Sequence, residues 1–267
     1  MIRALRVQLA LDAKQAWRHR FVHVVFGLAT VFGLLVRFAV PARVERRLPW
    51  DDVPADLGAH HALTVLRPGA VEVPFDAGLV PLILGLDVAL MGFLFGGVMV
   101  LQEKVAGTVA AYRTSPGGTA PYVLSKLGIN LAMAAFNAAV FVAWAHPAGL
   151  LAPGVFAVTL VVVASLTLLG MGVAVFFDGL SSFFYPLALG GLLLNLPMIA
   201  YVSPSLSLGW MRWIPTWDVM FLGRELLFPT GRGADLGAVA RLVGWLLVTG
   251  AFATWAVDRR LMREAAR

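Results

Sequence analysis

The sequence predicts an all-α polytopic membrane protein with six transmembrane helices, and three observations lead there. Apolar residues make up 60% of the chain and charged residues only 13%, where a soluble domain carries about 25% charged residues. The apolar residues gather into runs long enough to cross a bilayer, which takes about 20 residues. Lysine and arginine gather in alternate intervals between those runs, the distribution that orients membrane helices.

Residues 1–20 come first. Ile2, Leu5, Leu9 and Trp17 recur with basic residues between them, so the segment reads as an amphipathic interfacial helix feeding the first span. It lacks a compact apolar core followed by a small-residue cleavage site, so no removable signal peptide is expected. Spans are expected at about 21–40, 78–101, 120–145, 153–177, 181–203 and 237–257. Asp178-Gly179-Leu180 alone separates the fourth from the fifth, which makes them a tight hairpin. A short turn from His146-Pro147 to Pro153-Gly154 joins the third and fourth.

Orientation follows from the basic residues. Arg3, Arg6, Lys14, Arg18 and Arg20 face only Asp12 in the N-terminal segment. Lys104, Arg113 and Lys126 face Glu103 between the second and third spans. Arg259, Arg260, Arg263 and Arg267 outnumber Asp258 and Glu264 in the tail. Six spans place all three segments on one side, expected to be the cytoplasm, with both termini there and the chain in the inner (plasma) membrane. The 41–77 loop is net negative and is expected outside. The net charge of +6 thus reads as topology and anionic-lipid attraction, not as a nucleic-acid surface.

The 204–236 segment is more than a loop. Pro204, Pro215 and Pro229 punctuate it, and Trp210, Trp213 and Trp217 are aromatic-belt residues. Thr216-Trp217-Asp218 is expected to cap a short helix running to Phe228. The segment is apolar enough to dip back into the outer leaflet as a re-entrant element, which requires cover by protein or a wet cavity.

Glu103–Lys126 is a polar island between two apolar runs. Val105, Val109 and Tyr112 recur at helical spacing, and Ser115-Pro116-Gly117-Gly118 ends the pattern. A short surface helix over 103–115 is expected there.

Several chemistries are missing. The chain has no Gly-rich phosphate loop with its Lys and Ser/Thr, no HExxH, and no GxSxG. It has no cysteine, so disulfides and thiolate metal sites are excluded. His19 and His23 lie one helical turn apart at the mouth of the first span, and His60 and His61 lie in the external loop. Interfacial and solvated roles fit them better than metal ligation, so no metal site is expected.

The section Asp87–Lys126 carries a resemblance. Asp87, Gly92-Phe93, Phe95, Gly97, Glu103-Lys104, Gly107-Thr108, Ser115-Pro116 and the Tyr122–Lys126 run YVLSK are similar to the ABC-2-type permeases, closest to the fluoroquinolone-export permease group. The match covers about forty residues and is architectural elsewhere. Ala110 departs from the pattern, where an acidic residue is common. The resemblance implies a single ABC-2-type transmembrane domain over 1–267, with a coupling helix at 103–115 that docks into a groove of a separate ATPase. Glu103, Lys104, Val105, Gly107, Thr108, Val109 and Tyr112 are then the coupling residues, with Glu103 complementing the helix N-terminus and the apolar residues anchoring in the groove. It implies no cofactor in this chain. ATP and Mg belong to two copies of the partner ATPase, and a second permease chain, identical or related, completes the transporter. The chain itself is then not an enzyme.

Inside the membrane, Asp87 needs a partner, a proton or water. Asn130, Asn137, Arg37 and Arg241 are candidate partners, and attraction of a cationic or amphiphilic substrate is the alternative role. Asn130 and Asn137 are seven apart and share a face of the third span, as pathway lining or as helix glue. Gly92, Gly96 and Gly97 form a small-residue face for close helix approach, as do Gly190 and Gly191 before an expected kink at Asn195-Pro197. Phe176, Phe177, Phe183, Phe184 and Tyr185 flank the hairpin as belt or core residues.

The reading that joins these features is an export permease for an amphiphilic small molecule or drug, working by alternating access. A haem-exporter-like cytochrome-assembly permease would use ligating histidines near a cavity. A membrane enzyme would need a polar cluster at one depth. A membrane scaffold or sensor would keep a docking helix without flux.

Overall fold

Five helices of the computed structural model are long and apolar enough to cross a membrane: Val80–Val105, Thr119–Ala145, Pro153–Ala174, Leu180–Val202 and Leu236–Met262. The structure describes residues 2–18, 21–40, 75–109, 118–203, 206–229 and 235–263. No strand occurs among them. This is the architecture of a multi-pass membrane protein. The expected first span appears as a helix, α2 (Phe21–Ala39), whose apolar stretch is the shorter Gly27–Ala39. The expected external loop falls almost wholly on 41–74, outside the described residues.

Helix α1 (Ile2–Arg18) precedes α2. The second span is composite. It comprises α3 (Val80–Ala89), a π-helical segment Leu90–Leu94, and α4 (Phe95–Val105). Pro81 lies in the first turn of α3, where its missing N–H costs nothing. The third span is α5 (Thr119–Ala145) and the fourth is α6 (Pro153–Ala174). A 3-10 turn, Pro147–Leu151, joins them. The fifth span breaks into α7 (Leu180–Leu194) and α8 (Pro197–Val202). Then come α9 (Pro215–Leu227) and α10 (Leu236–Ala256), the latter running on as a π-helical turn, Val257–Arg263.

Helix α6 is the centre. It carries no charge, and α4, the π segment, α5, α9 and α10 all pack on it. Small residues set how closely they approach. A Cβ added at Gly96 would stand 2.4 Å from the Thr167 carbonyl oxygen, and one at Gly170 would stand 2.2 Å from that of Phe93. These are backbone-to-backbone contacts, which dispersion rewards in lipid where the hydrophobic effect between helices is absent. Gly97 receives the Phe183 ring, and Gly190 receives that of Phe93. The expected close-packing role of these glycines is therefore present. Gly191 is different, with nothing within 4 Å of an added Cβ.

The expected kink in the fifth span is also present. Asn195 ends α7, its side-chain amide donating to the Gly191 carbonyl at 2.8 Å. Pro197 then opens α8 in its first turn. The Leu194 carbonyl freed at the break accepts from the Thr216 hydroxyl. This corrects the expected cap of the 216–228 helix. Helix α9 starts one residue earlier, at Pro215, whose fixed φ suits a first turn. Thr216 thus serves a neighbouring helix instead of its own.

The five aromatic residues beside the hairpin divide between core and surface. Phe183 is buried, while Phe184 and Tyr185 are exposed. Helix α7 buries only Phe183 and Leu194 and presents Leu189, Leu192 and Leu193 outward.

Candidate functional site

The polar island and the residues under it lie at one end of the bundle. The last turn of α4, the first turns of α5, the end of α6 and the π turn after α10 meet there. Contacts tie them together. Thr119 donates to Asp258 at 3.1 Å, and Lys104 donates to the Val175 and Phe177 carbonyls at 3.2 and 2.5 Å. Lys104 thereby satisfies carbonyls that the C-terminus of α6 leaves without intrahelical partners.

Glu103 is not where a surface helix would put it. It belongs to the last turn of α4, 1% exposed. The helix ends at Val105, and a turn over residues 106–108 follows, with Gly107 at φ 70°. That left-handed backbone favours glycine. The expected 103–115 helix is corrected in this part: 103–105 continue the second span, and Glu103 faces inward instead of capping a new helix. The physical reason is the chain's own helical register, which turns position 103 toward α5 while Val105, 70% exposed, turns away. Thr108 donates to the Glu103 carbonyl at 3.3 Å and closes the turn. Val109 is buried. Tyr112 and the rest of 110–117 lie outside the described residues. The chain re-enters at Gly118, also at positive φ (67°), before α5.

Below the island sits a buried ionic junction that the sequence reading did not foresee. Lys126 donates to both Glu103 and Asp12, and Ser125 donates to Asp12 as well. All four side chains are buried. Three helices, α1, α4 and α5, are therefore joined at one cation. A signal was available. Asp12 falls on the same stripe of α1 as Leu5 and Leu9, and an acid on an apolar stripe needs a partner across the interface. Charge counting sets Lys126 against Glu103 within one loop, but nothing local in the sequence connects either of them to Asp12.

The polar residues of the apolar helices separate into two groups of contacts. Asp87 accepts from the Asn137 amide, one of the partners considered. Arg37 and Arg241 are not its partners. Arg241 pairs with Asp218 at 2.6 Å and lies 3.8 Å from Asp235. Asn130 donates instead to the Met91 carbonyl at 3.0 Å and the Thr167 hydroxyl at 2.6 Å. Met91 lies in the π segment, where a widened helical turn leaves carbonyls to be satisfied from outside. Asn130 thus fastens the second, third and fourth spans at one level.

At the opposite end, Asp218 at the start of α9 is buried against Arg241 of α10. Burial pushes its carboxyl above the ordinary range, and the guanidinium holds it partly back. Trp217 stacks on Phe221 at 3.9 Å, and Tyr201 donates to the Gly78 carbonyl at 2.6 Å. Trp210 and Trp213 are exposed. Among the described residues no cluster of three His, Cys, Asp or Glu is placed to hold a metal. His23 is exposed in the first turn of α2, and His19 lies outside the described residues.

No protein-family model, no curated protein and no solved structure matches the chain.

Proposed function

We propose that the chain is the membrane subunit of an ATP-binding-cassette exporter, with the polar island as the point where a separate ATPase pushes. The observation that carries this reading is the base of the island. A segment bounded by two positive-φ glycines, Gly107 and Gly118, emerges from a buried ionic junction of Glu103, Lys126 and Asp12. A force applied between the glycines would reach three helices at once, and Lys104 would carry it on to the end of α6. Val105 is the outward apolar anchor, with Tyr112 on the same sequence stripe. Glu103 and Lys104 support the lever from below.

In this reading the island and both termini are cytoplasmic, α2 completes a six-span domain, and the 204–236 segment is a re-entrant element at the outer leaflet. Two such chains, identical or related, work with two ATPase subunits that bind ATP and Mg. ATP binding closes the ATPase pair, draws the islands together and opens the spans outward. The substrate is an amphiphilic small molecule, in keeping with a largely apolar interior.

Co-purification tests the reading. Replacing 110–114 by a Gly-Ser linker of equal length leaves the ionic junction, the turn at Gly107 and the buried Val109 in place. It should abolish capture of the cognate ATPase while leaving the protein's amount and elution unchanged. Undiminished capture would overturn the reading.

A further inference from the structure

We propose that Asp87 and Asn137 form an intramembrane receptor for the ammonium group of an amphiphilic cation. Asp87 sits in the first third of the Val80–Val105 helix and is half-buried. Its one hydrogen-bond partner among the described residues is the Asn137 amide, and no Lys or Arg among them makes an ion pair with it. Of the two arginines considered as partners, Arg241 is taken by Asp218 and Arg37 is exposed in the last turn of α2.

Asn137 supplies the second observation. It is 2% exposed, and its Oδ1 has no donor. Amide nitrogen and oxygen share one carbon, so this unpartnered oxygen belongs to the same amide group that binds the carboxylate. The cluster thus presents carboxylate and carbonyl acceptors together and lacks a positive donor. An ammonium offers three N–H donors, no acceptor and the missing charge. A divalent metal fits poorly, because it demands six or more oxygens or close octahedral geometry, and two side chains fall short.

The surroundings suit the rest of an amphiphile. Ile83 and Leu90 lie one turn before and one turn after Asp87 on the same face of the span. Ile83 is half-buried and Leu90 exposed. A charged head would meet Asp87, and an apolar body would lie along these side chains. This deepens the exporter reading by naming a substrate class, and only the word substrate rests on that reading.

The competing account is a proton held permanently on Asp87. With the Asn137 amide turned over, that proton would go to Oδ1, and the pair would serve packing alone. Equilibrium binding separates the two. The full chain is placed in phosphatidylcholine nanodiscs and titrated at pH 7 with dansylcadaverine, a fluorescent amphiphilic primary amine. Its N-acetyl derivative, uncharged, is the control, and empty nanodiscs give the background. Wild type should bind the amine at least roughly tenfold more tightly than the acetylated form, about 1.4 kcal/mol. Asp87→Asn should erase that preference while binding the acetylated form as wild type does. Asp87→Glu should retain it. Asn137→Ala should weaken it and gives a second reading should Asp87→Asn fold poorly. Equal wild-type affinity for both probes, or a preference that survives Asp87→Asn, overturns the proposal. No ATPase is present, so loss of this site leaves the coupling reading standing. Failure of ATPase capture likewise leaves the site standing.

Discussion

Lys126, near the start of the third span, and Glu103, in the last turn of the second, form an ion pair with both side chains almost wholly out of solvent. Asp12 of the N-terminal helix shares the same ammonium. Two carboxylates around one cation make the three residues unequal, because loss of Lys126 alone removes the shared cation from both others.

Lys126→Met should therefore be the most damaging single change at the junction. Removing one partner from a buried pair costs about 3–5 kcal/mol because the remaining charge loses its compensation. Glu103→Gln, which leaves Asp12 on Lys126, should cost less. Thermal unfolding of the detergent-purified variants ranks them, and a larger loss in Glu103→Gln would contradict the arrangement.

The glycine contacts predict opposite outcomes for the same substitution. Gly170→Ala forces a methyl against the Phe93 carbonyl and should destabilise by about 1–3 kcal/mol, the usual penalty of overpacking. Gly191→Ala meets open space and should stay within about 0.5 kcal/mol of wild type. Melting temperatures of the two variants, measured side by side, decide it.

Asn130 should matter through the helix it fastens. Asn130→Ala removes donors to Met91 and Thr167, and interhelical hydrogen bonds in membranes average about 0.6 kcal/mol with a maximum near 1.7. The expected loss lies toward the upper end, because a backbone carbonyl in the π segment loses its donor as well. Backbone amide exchange around Met91 should rise with the substitution and stay unchanged around Gly191.

Asp218 gives a pH signature. Its carboxyl is raised by burial, so its contribution to stability is present in acid and declines as pH rises through the raised value. Arg241 opposes that shift. Arg241→Met should cost about 3–5 kcal/mol at neutral pH, where Asp218 is left charged and unpaired. The gap from wild type should narrow as pH falls and Asp218 takes a proton. A gap that widens in acid would refute this.

Sequence alone determined the all-helical class, the five helices long and apolar enough to cross a membrane to within a few residues, the close packing at Gly92, Gly96, Gly97 and Gly190, and the break near Asn195-Pro197. These follow from run length, side-chain size and backbone restriction, which are local properties. It also drew attention to Asp87, Asn130 and Asn137, because polar groups in apolar runs stand out. Only the tertiary structure decided where their partners lie: Asn137 on Asp87, Asn130 on a π-helical carbonyl, Arg241 on Asp218. Pairing depends on the rotation and depth of separate helices, which no local pattern encodes. The island shows the difference most clearly. Its polar character was legible, but its first residue, Glu103, belongs to the span beneath it. That assignment rests on the register of α4 against α5 and on an Asp12–Lys126 contact spanning more than a hundred residues of chain.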